Sequence, residues 1–469
     1  MDAHSSAEMV SFGQTHFGGC DLNDSRLTSR LVFSADRFLE HPGGTLPDKL
    51  NNNADLAGFY RLANNAKVTH AKLIDAHRAR TVALMEACDG VVLVIHDTTE
   101  IDFSGLDSVA DLGPIGHGGC SGYLCHNSLA YDYQKGEVLG LANQTIHVRR
   151  KVPKGESPKA KREHPERESR LWKKGWKALP PPSPAKMRVN IADRGADMFE
   201  FIEALQQGGD YYLIRSKSNR NIELDDGAGG VRKVKLHDFA RGLASLGTRS
   251  VEVSTNHGHK ARTAGVKVAA ARVTIKAPHF ARGEHSDENQ SAWVVHVIET
   301  DPPKGEEALE WILLTNVPTE NFEDACVRVD WYACRPIVEE FHKAAKTGCG
   351  IELPQFTTGH ALQVTIAVLS VVATQLLRLR DLARREDAKE RPASDVVDEE
   401  YVNAASAWRF KEIRSTLSVH DFCRALAKLG GHLNRKHDGA PGWLVLWRGW
   451  TKLQLLVDGA RIGRTMRCV

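Results

Sequence analysis

The stretch Tyr332-Ala-Cys-Arg-Pro-Ile-Val-Glu-Glu-Phe-His-Lys-Ala-Ala-Lys346 has the spacing of an amphipathic helix. At about 100° per residue, its polar members fall within roughly an 80° arc. They are Tyr332, Arg335, Glu339, Lys343 and Lys346. The opposite side is apolar and carries Ile337, Val338, Phe341, Ala344 and Ala345. Proline costs least at the first helical position, so Pro336 predicts a helix that begins at about Arg335.

The polar face of this helix places one carboxylate, Glu339, among cations and a phenol. Such a set is suited to holding a metal ion beside a phosphate backbone. An alternative stays open at this point, in which the acids and lysines are exposed i,i+3 and i,i+4 pairs on a solvated helix. The rest of the chain has to decide between the two.

The composition is that of an ordinary soluble globular protein, with 26% charged and 42% hydrophobic residues. A length of 469 residues suggests about three domains. A net charge of +3 is too small to identify a nucleic-acid binder, so any basic surface has to be local. There is no run of about 18 apolar residues and no signal-peptide pattern in residues 1–20. We therefore expect a cytoplasmic protein without a membrane segment.

The cysteines do not suggest a structural role for disulfides or zinc. Nine of them, an odd number and scattered, do not form a disulfide framework. Cys120, Cys125 and His126 resemble metal ligands, but the second pair that would close a zinc site is absent from the sequence. A loop thiol and strand packing are the favoured roles for these residues.

Residues 1–88 are predicted to be helical. Helical patterns cover residues 24–40, 54–64 and 71–88, and Asp24 is a suitable N-cap for the first. One face of that first helix carries Arg26, Arg30 and Arg37. These arginines could contact DNA phosphates or bases. The first 90 residues nevertheless hold 9 Lys/Arg against 11 Asp/Glu, so a DNA reader and a structural cap both stay open.

Two continuous apolar runs predict strands that are buried on both faces. Residues 91–95 lead into Asp97, and residues 187–192 lead into Asp193. Acidic residues at the ends of buried strands are where α/β proteins tend to place chemistry. The alternative for Asp97 is that it caps the following turn. A helix over 198–207 and a strand over 211–214 are expected next.

Three further segments surround these strands. Residues 123–132 and 138–148 predict a hairpin beside the first strand. Residues 149–186 predict a surface excursion, solvated or facing phosphate, and 149–177 carry 12 Lys/Arg against 4 Glu. Residues 218–315 show short alternating strands and no helical period, which indicates a β-rich insertion.

The C-terminal part is predicted to be helical. An apolar helix over 360–378 is long enough to cover a face of the sheet, a charged linker covers 384–397, and helices follow over 419–457. The spacing of three tryptophans predicts a buried contact, either within the chain or with another one. They are Trp443, Trp447 and Trp450.

If Asp97, Asp193 and Glu339 converge, they form a carboxylate cluster without His or Cys ligands. Hard oxygen ligands in small number suit Mg²⁺ or Mn²⁺. Two such ions about 3.5–4 Å apart can activate an attacking oxygen and stabilise a leaving one in phosphoryl transfer. Without metal, the three like charges would raise each other's pKa.

The chain resembles the cut-and-paste DDE transposases of bacterial insertion sequences. The resemblance rests on Asp97-Thr98-Thr99, Asp193-Arg194-Gly195-Ala196-Asp197, Arg215-Ser216-Lys217, and the signature Tyr-x-x-Arg-x-x-x-Glu-x-x-x-x-x-x-Lys as Tyr332, Arg335, Glu339 and Lys346. It covers nearly the whole chain. The chain departs from the expected pattern in two places. Cys334 and Pro336 lie within the signature, and residues 351–355 lack basic side chains.

The resemblance implies an α/β fold with a ribonuclease-H-like catalytic core over 89–375, which contains the β-rich insertion. It also implies a helical DNA-binding domain over 1–88 and a helical dimerisation domain over 376–469. Asp97, Asp193 and Glu339 would be the catalytic ligands of two Mg²⁺ ions, with Mn²⁺ able to substitute.

DNA contacts follow from the same resemblance. Those implied by the resemblance would come from Arg215, Lys217, Trp311, Tyr332, Arg335 and Lys346. Arg26, Arg30 and Lys343 are further candidates because of their positions on helix faces. Trp311 falls where the family stacks a flipped base, which is physically reasonable because an aromatic face can replace the lost base stacking. The alternative is a buried strand tryptophan.

The activity that the resemblance implies is transposition by a cytoplasmic, nucleoid-associated bacterial enzyme. A homodimer would bind the inverted repeats of double-stranded DNA, cut them through a hairpin intermediate and join the 3′-OH ends to target DNA. Two competing functions stay open: a catalytically inactive or repurposed end-binding protein, and a metal-dependent nuclease without strand transfer.

Overall fold

The computed structural model describes residues 10–116, 118–225, 230–253, 262–279, 284–414, 416–435 and 438–467. Its first elements are the helices α1 (Phe12–Phe17), α2 (Ser25–Glu40), α3 (Leu46–Leu50), α4 (Asn53–Ala63) and α5 (His70–Ala87). The three predicted N-terminal helices correspond to α2, α4 and α5. As predicted, Asp24 caps α2, because its side chain accepts a hydrogen bond from the backbone N–H of Arg26 at 3.0 Å.

A large mixed sheet forms the centre of the protein. Its first half consists of β1 (Val92–Asp102), β2 (Gly113–Pro114), β3 (Ser121–Asp132), β4 (Glu137–His147), β5 (Arg188–Ala192) and β6 (Tyr211–Arg215). β3 pairs antiparallel with β1 and β4, which confirms the predicted hairpin, while β5 lies parallel to β1 and β6. β1 starts with four buried apolar residues, and all five residues of β5 are buried, Arg188 and Asn190 among them, as strands covered on both faces should be.

Helices occupy the connections in this half of the sheet. The basic excursion contains α6 (Pro158–Glu163) and α7 (Arg170–Lys177), and α8 (Phe199–Gln207) joins β5 to β6. The predicted helix over 198–207 is therefore confirmed. Trp172 and Leu171 of α7 are buried, so the excursion is anchored to the sheet rather than fully solvated.

The β-rich block continues the same sheet. Its elements are β7 (Asn221–Asp225), β8 (Val231–Lys235), α9 (Leu236–Arg241), β9 (Gly247–Val253), β10 (Arg262–Ile275), β11 (Gln290–Glu299) and β12 (Glu310–Thr315). β12 pairs with β6, so the strand order is β2-β3-β1-β5-β6-β12-β11-β10-β7-β8, with β4 on β3 and β9 on β10. Within 218–315, residues 226–229, 254–261 and 280–283 lie outside the described part of the chain.

The signature stretch is divided between two helices. Tyr332 ends up in α10 (Phe322–Ala333), and α11 runs from Pro336 to Lys343 with Arg335 as its N-cap. The prediction that a helix begins at about Arg335 is confirmed. The prediction that Tyr332 shares a helical face with Arg335 and Glu339 is wrong, because Tyr332 belongs to the preceding helix α10. The chain then forms a wider π-helical turn over Ala344–Gly348, which shifts the angular position of Lys346 relative to an ideal α-helix.

Helix α12 (Gly359–Arg384) is the central helix of the fold. It is long and apolar enough to cross a membrane by length and composition, but 78% of its most apolar window is buried inside the protein. A buried core helix passes the same test, so α12 is no evidence for a membrane span. It packs in the main hydrophobic core together with residues from the N-terminal helices and the sheet.

The C-terminal region contains α13 (Glu399–Phe410), α14 (Val419–Leu429) and α15 (Trp443–Arg467). The prediction of a charged linker over 384–397 is wrong, because two 3-10 turns there bury Ala388 and Ala393 in a C-terminal hydrophobic cluster. The predicted boundary between residues 375 and 376 falls inside α12.

Candidate active site

Two aspartates lie on neighbouring strands because β1 and β5 are parallel and in register. The last pair of this ladder is His96 with Ala192, and the next residues are Asp97 and Asp193. The sequence prediction ended the first strand at this point, but β1 continues to Asp102 because β3 goes on pairing with it. Asp97 therefore lies at the point where the pairing of β1 with β5 ends. On the opposite side of β1, the pairing with β3 continues.

Asp193 begins a tight turn. Its Oδ1 accepts a hydrogen bond from the backbone N–H of Gly195 at 2.8 Å, and a single 3-10 turn covers Arg194–Ala196. This local bond fixes the direction in which the carboxylate leaves the strand. The second oxygen, Oδ2, faces the guanidinium of Arg335.

The third predicted acid, Glu339, meets the two aspartates at the guanidinium of Arg335. Nη2 of Arg335 lies 3.0 Å from Oδ2 of Asp97 and 3.6 Å from Oδ2 of Asp193. Its Nη1 donates a hydrogen bond to Oε1 of Glu339, one helical turn away on α11. Three carboxylates that are distant in sequence thus surround one positive charge.

Burial makes this cluster electrostatically strong. The pKa of Asp97 is raised to about 6, mainly by burial and also by the charges of Asp193 and Glu339, while Arg335 acts in the opposite direction. Burial alone would lower the pKa of Arg335, but the neighbouring acids outweigh it and the pKa of the guanidinium is raised. A cation between the three acids is therefore strongly favoured.

The donor set fits a hard divalent cation, although an arginine now stands at its centre. Within the described ranges, no group of three or more His, Cys, Asp or Glu side chains is arranged so that it could hold a metal ion. At this place, the guanidinium of Arg335 lies between the acids. Carboxylate oxygens are the ligands that Mg²⁺ and Mn²⁺ prefer, so Asp97, Asp193 and Glu339 could hold such ions once Arg335 has moved aside.

A buried polar network lies beside Asp97. Nδ1 of His342 faces Oδ2 of Asp97 at 3.9 Å, and Nδ2 of Asn127 donates to Nε2 of His342 at 3.1 Å. The neutral imidazole therefore carries its proton on Nδ1, directed at Asp97. Gln144 donates to Oδ1 of Asn127 at 2.8 Å and to Oγ of Ser370 at 2.9 Å.

His342 was missed by the sequence analysis. It follows Arg335 by seven residues, which is two helical turns, so the spacing could have placed it on the working face. Burial lowers the pKa of His342 to about 3, and the nearby charges of Lys346 and Arg335 add to this effect. The ring is thus a neutral hydrogen-bonding group at physiological pH.

The favoured roles for Cys125 and His126 are confirmed. Both are buried in β3, and successive residues of a strand point to opposite faces. Nδ1 of His126 shares a hydrogen bond with Oγ1 of Thr98 at 2.8 Å, beside the acid cluster. Cys120 is partly exposed in the preceding loop.

The aromatic and cationic residues predicted to contact DNA divide into buried and exposed groups. Tyr332 is 5% exposed and packs edge to face on Trp311, with ring centroids 5.0 Å apart. The half-buried Arg215 donates to the carbonyl oxygen of Glu310 at 2.8 Å. Lys217 and Lys343 are exposed, so these two reach solvent directly.

Lys346 is engaged by an acid of the chain itself. Its Nζ lies 3.1 Å from Oε1 of Glu352. Glu352 belongs to residues 351–355, the segment that lacks the basic residues expected from the resemblance. The same carboxylate oxygen accepts a hydrogen bond from the backbone N–H of Asp102 at 3.0 Å. Lys346 would have to leave this pair in order to bind a phosphate.

In the N-terminal region, the exposed face of α2 carries the predicted arginines. The side chain of Arg26 is 89% exposed and pairs with Asp24 at 3.0 Å, and Arg30 pairs with Asp55 at 2.8 Å. Arg30 also lies over the ring of Phe33, 5.2 Å from its centroid. Phe33 is itself 38% exposed, so this face combines cations with an accessible aromatic ring.

The C-terminal tryptophans pack within the chain. Trp443 and Trp447 belong to the main core, and Trp450 stacks on Tyr401 with ring centroids 5.0 Å apart. The exposed apolar residues of α15 lie further along the helix; they are Leu455, Leu456, Ile462 and Met466. The tryptophan contact is therefore intramolecular, and a different part of α15 is open to a partner.

Two family models match the ends of the chain. The model described as Transposase DNA-binding matches residues 9–68, and the model described as Transposase Tn5 dimerisation domain matches residues 371–468. Asp97, Asp193 and Glu339 lie in the part of the chain between these two regions. The two matched regions are similar to the DNA-binding and dimerisation domains of transposases. Together they support a Tn5-like transposase family and a homodimer.

Proposed function

We propose that the protein is a DDE transposase that cuts and joins DNA at transposon ends by metal-dependent phosphoryl transfer. The observation that carries this proposal is the meeting of Asp97, Asp193 and Glu339 around a single positive charge. The two family matches add DNA binding and dimerisation. As part of the same proposal, we infer that the protein resembles the transposase of the composite transposon that carries kanamycin resistance.

The fold supports a ribonuclease-H-like core. The strands that carry the acids lie in the order β4-β3-β1-β5-β6, three antiparallel and two parallel. This order brings Asp97 and Asp193 to one edge, and α11 places Glu339 over it. The β-rich insertion then extends the sheet beyond β6.

In this proposal, Asp97, Asp193 and Glu339 would hold two divalent ions, which would supply Lewis-acid activation for each phosphoryl transfer. Arg335, displaced from the acids, is then free to bind a phosphate of the DNA end with its planar guanidinium. The exposed Lys217 and Lys343 bind the backbone on either side as point charges.

His342 keeps Asp97 in place during these steps. Its Nδ1–H faces the carboxylate, and Asn127 fixes the ring from the other side. His342 is itself buried. The pair thus orients an oxygen of Asp97 toward the phosphate without taking part in proton transfer.

The proposed order of events is cleavage of one strand by water, attack of the freed 3′-OH on the opposite strand, opening of the hairpin, and joining to target DNA. Trp311 is the candidate for stacking a flipped base. Its partly buried ring packs edge to face with the ring of Tyr332, and a flipped base would stack on the part of the Trp311 ring that is exposed.

The dimer is proposed to be the active form in the DNA complex, with each active site acting on the DNA end that the other subunit binds. Leu455, Ile462 and Met466 are exposed, and their spacing of seven and four residues puts them on one side of α15. Leu453 and Val457 on the other side are fully buried. A cytoplasmic, nucleoid-associated location is the expectation for such an enzyme.

The test uses purified protein, Mg²⁺ and a labelled duplex that carries the inverted repeats flanking its own gene, resolved on a denaturing gel. A hairpin-sized product that is absent with Asp193→Ala supports the proposal. Hydrolysis products without hairpin or joined product would instead indicate a nuclease.

A second candidate function is end binding without cleavage. It is favoured by one observation, the guanidinium of Arg335 that already lies between the three acids as a counter-ion. This guanidinium offsets part of the negative charge of the cluster without a metal. Binding of the end duplex with no cleavage in either Mg²⁺ or Mn²⁺ would support this function over transposition.

A further inference from the structure

Asp197 is a buried carboxylate that closes the turn begun by Asp193. Its side chain is 0% exposed and forms an ion pair with Arg220, whose Nη2 also donates to the backbone carbonyl of Asp197 at 3.0 Å. Its Oδ2 accepts hydrogen bonds from the backbone N–H groups of Lys217 at 2.7 Å and Ser218 at 2.9 Å. One carboxylate thus contacts Lys217, Ser218 and Arg220, three residues of the loop after β6.

The loop that Asp197 holds presents the exposed Lys217. Ser216 anchors the other side of this loop, because its backbone N–H donates to the carbonyl oxygen of Ile312 at 2.7 Å. Its Oγ lies 3.3 Å from Oδ2 of Asp197 and 3.0 Å from Nε2 of His237. Within the described residues, the ammonium group of Lys217 forms no ion pair. Hydrogen bonds thus fix the backbone of this loop, while the charge of Lys217 is free.

The turn between the two aspartates is short and internally bonded. Asp193 accepts from Gly195, and the backbone N–H of Asp197 donates to the carbonyl oxygen of Arg194. Asp193 faces the acid cluster, and Asp197 faces the loop. A change in the position of the loop relative to the acids would have to break the bonds to Asp197 or distort this turn.

We propose that Asp197 is a positioning residue that sets the distance between the acid cluster and a phosphate bound by Lys217. This inference rests on the proposed function, because the ligand is the phosphate backbone of the DNA end. A buried carboxylate that accepts two backbone N–H bonds and pairs with an arginine is a rigid support, since its loss leaves those groups unpaired. Lys217 alone is a flexible point charge whose phosphate contact depends on where its backbone stands.

The first test is hydrogen exchange on the free full-length protein, without DNA or metal. The backbone amides of Lys217 and Ser218 should be protected although their side chains are exposed, and Asp197→Asn should speed their exchange at least about tenfold. The matched control is Asp210→Asn. Asp210 forms an equally buried ion pair with Arg188 at 2.6 Å but does not contact the loop. Wild-type amides that exchange like an unfolded chain would overturn the inference.

The second test is a double-mutant cycle on binding of the labelled inverted-repeat duplex over a range of salt concentrations. Lys217→Ala should weaken binding several-fold and lower the salt slope by about one. Asp197→Asn should produce the same two changes, and it should add little when Lys217 is already alanine. Ser218→Pro, which removes one donor from the loop side, serves if Asp197→Asn does not fold.

The two tests separate the inference from the proposed function. Failure of the wild-type protein to bind the duplex would count against the proposed function, while the exchange result would still stand by itself. Normal wild-type binding with fully additive effects of Asp197→Asn and Lys217→Ala would overturn the positioning role alone. An unchanged salt slope in Asp197→Asn would do the same.

Discussion

Nη2 of Arg335 lies 3.0 Å from Oδ2 of Asp97, and the same guanidinium contacts the other two acids of the cluster. The signature arginine is therefore an internal counter-ion in the free protein. In the proposed function, it occupies the place that a metal ion would take.

Replacing Arg335 should change metal binding by the free protein. Arg335→Gln removes a positive charge from between three acids, and a unit charge at about 4 Å is worth several kcal/mol at intermediate dielectric. We expect Mn²⁺ to bind roughly tenfold more tightly, measured by calorimetry without DNA. Lys217→Gln, which removes an exposed cation that does not touch the acids, is the control. Equal affinity of Arg335→Gln and wild type would contradict the counter-ion role.

The three acids should be needed for cleavage but not for end binding. Asp97→Ala, Asp193→Ala and Glu339→Ala should each lower cleavage by more than the 10- to 100-fold typical of residues outside the ligand shell, with little change in duplex affinity. Glu340→Ala is a matched control, since Glu340 pairs with Arg380 and not with the cluster. Cleavage above a few per cent of wild type in any acid variant would remove that residue from the site.

His342 should act through Asp97. His342→Ala removes the ring that faces Asp97 and with it the acceptor of one Asn127 hydrogen bond, so we expect a loss of about 10- to 100-fold in cleavage. The loss should appear in the rate at saturating duplex and not in the affinity for the duplex. His342→Gln, which can still donate a hydrogen bond, should restore part of the rate. A loss confined to duplex affinity would argue against the supporting role.

Buried histidines should make the protein sensitive to mild acid. Burial lowers the pKa of His16 to about 2 and the pKa of His77 to about 3, and the two rings share a hydrogen bond of 2.9 Å. The unfolded chain takes up their protons below about 6.5, so stability is present above this pH and is lost as the pH falls. Each such histidine contributes about 1 kcal/mol per pH unit to the slope.

The measurement is the free energy of unfolding in urea between pH 5 and pH 8. His77→Gln should reduce its pH slope below about 6.5, whatever it does to the absolute stability. The exposed His279 provides the control, because His279→Gln should leave the slope as it is. A wild-type stability that does not change over this range would disprove the prediction.

The apolar side of α15 should be needed for the dimer in the DNA complex. Leu455→Glu combined with Ile462→Glu places charges on exposed apolar positions, so the folded monomer should persist while association weakens. Sedimentation of the complex with the end duplex should show the mass of one protein chain in place of two. Thr465→Glu, on the flank of the same helix, should leave the dimer intact.

Local sequence was sufficient for much of the fold. The N-terminal helices, the hairpin of β3 and β4, and the start of α11 beyond Arg335 follow from capping, alternation and the position of Pro336. These features depend on neighbours within a few residues, so a linear pattern contains the information. The same pattern identified Asp97, Asp193 and Glu339 as candidates, because each follows or lies on an element with a clear period.

Other features depended on partners that are far away in the chain. β1 continues beyond Asp97 because β3 pairs with it, and Ala393 is buried because the C-terminal helices cover it. Periodicity could not show that Tyr332 would end one helix while Arg335 begins the next. Nor could it show that His342 would meet Asp97.

The sequence by itself determined which acids and cations are available and which helices and strands carry them, since those depend on residue type and local spacing. Tertiary structure decided that Arg335 turns inward to the acids, that Lys346 pairs with Glu352, and that Asp197 supports the loop of Lys217. The physical reason is that a long charged side chain takes the partner that burial brings within reach. That partner is set by strand register and helix packing across the whole chain.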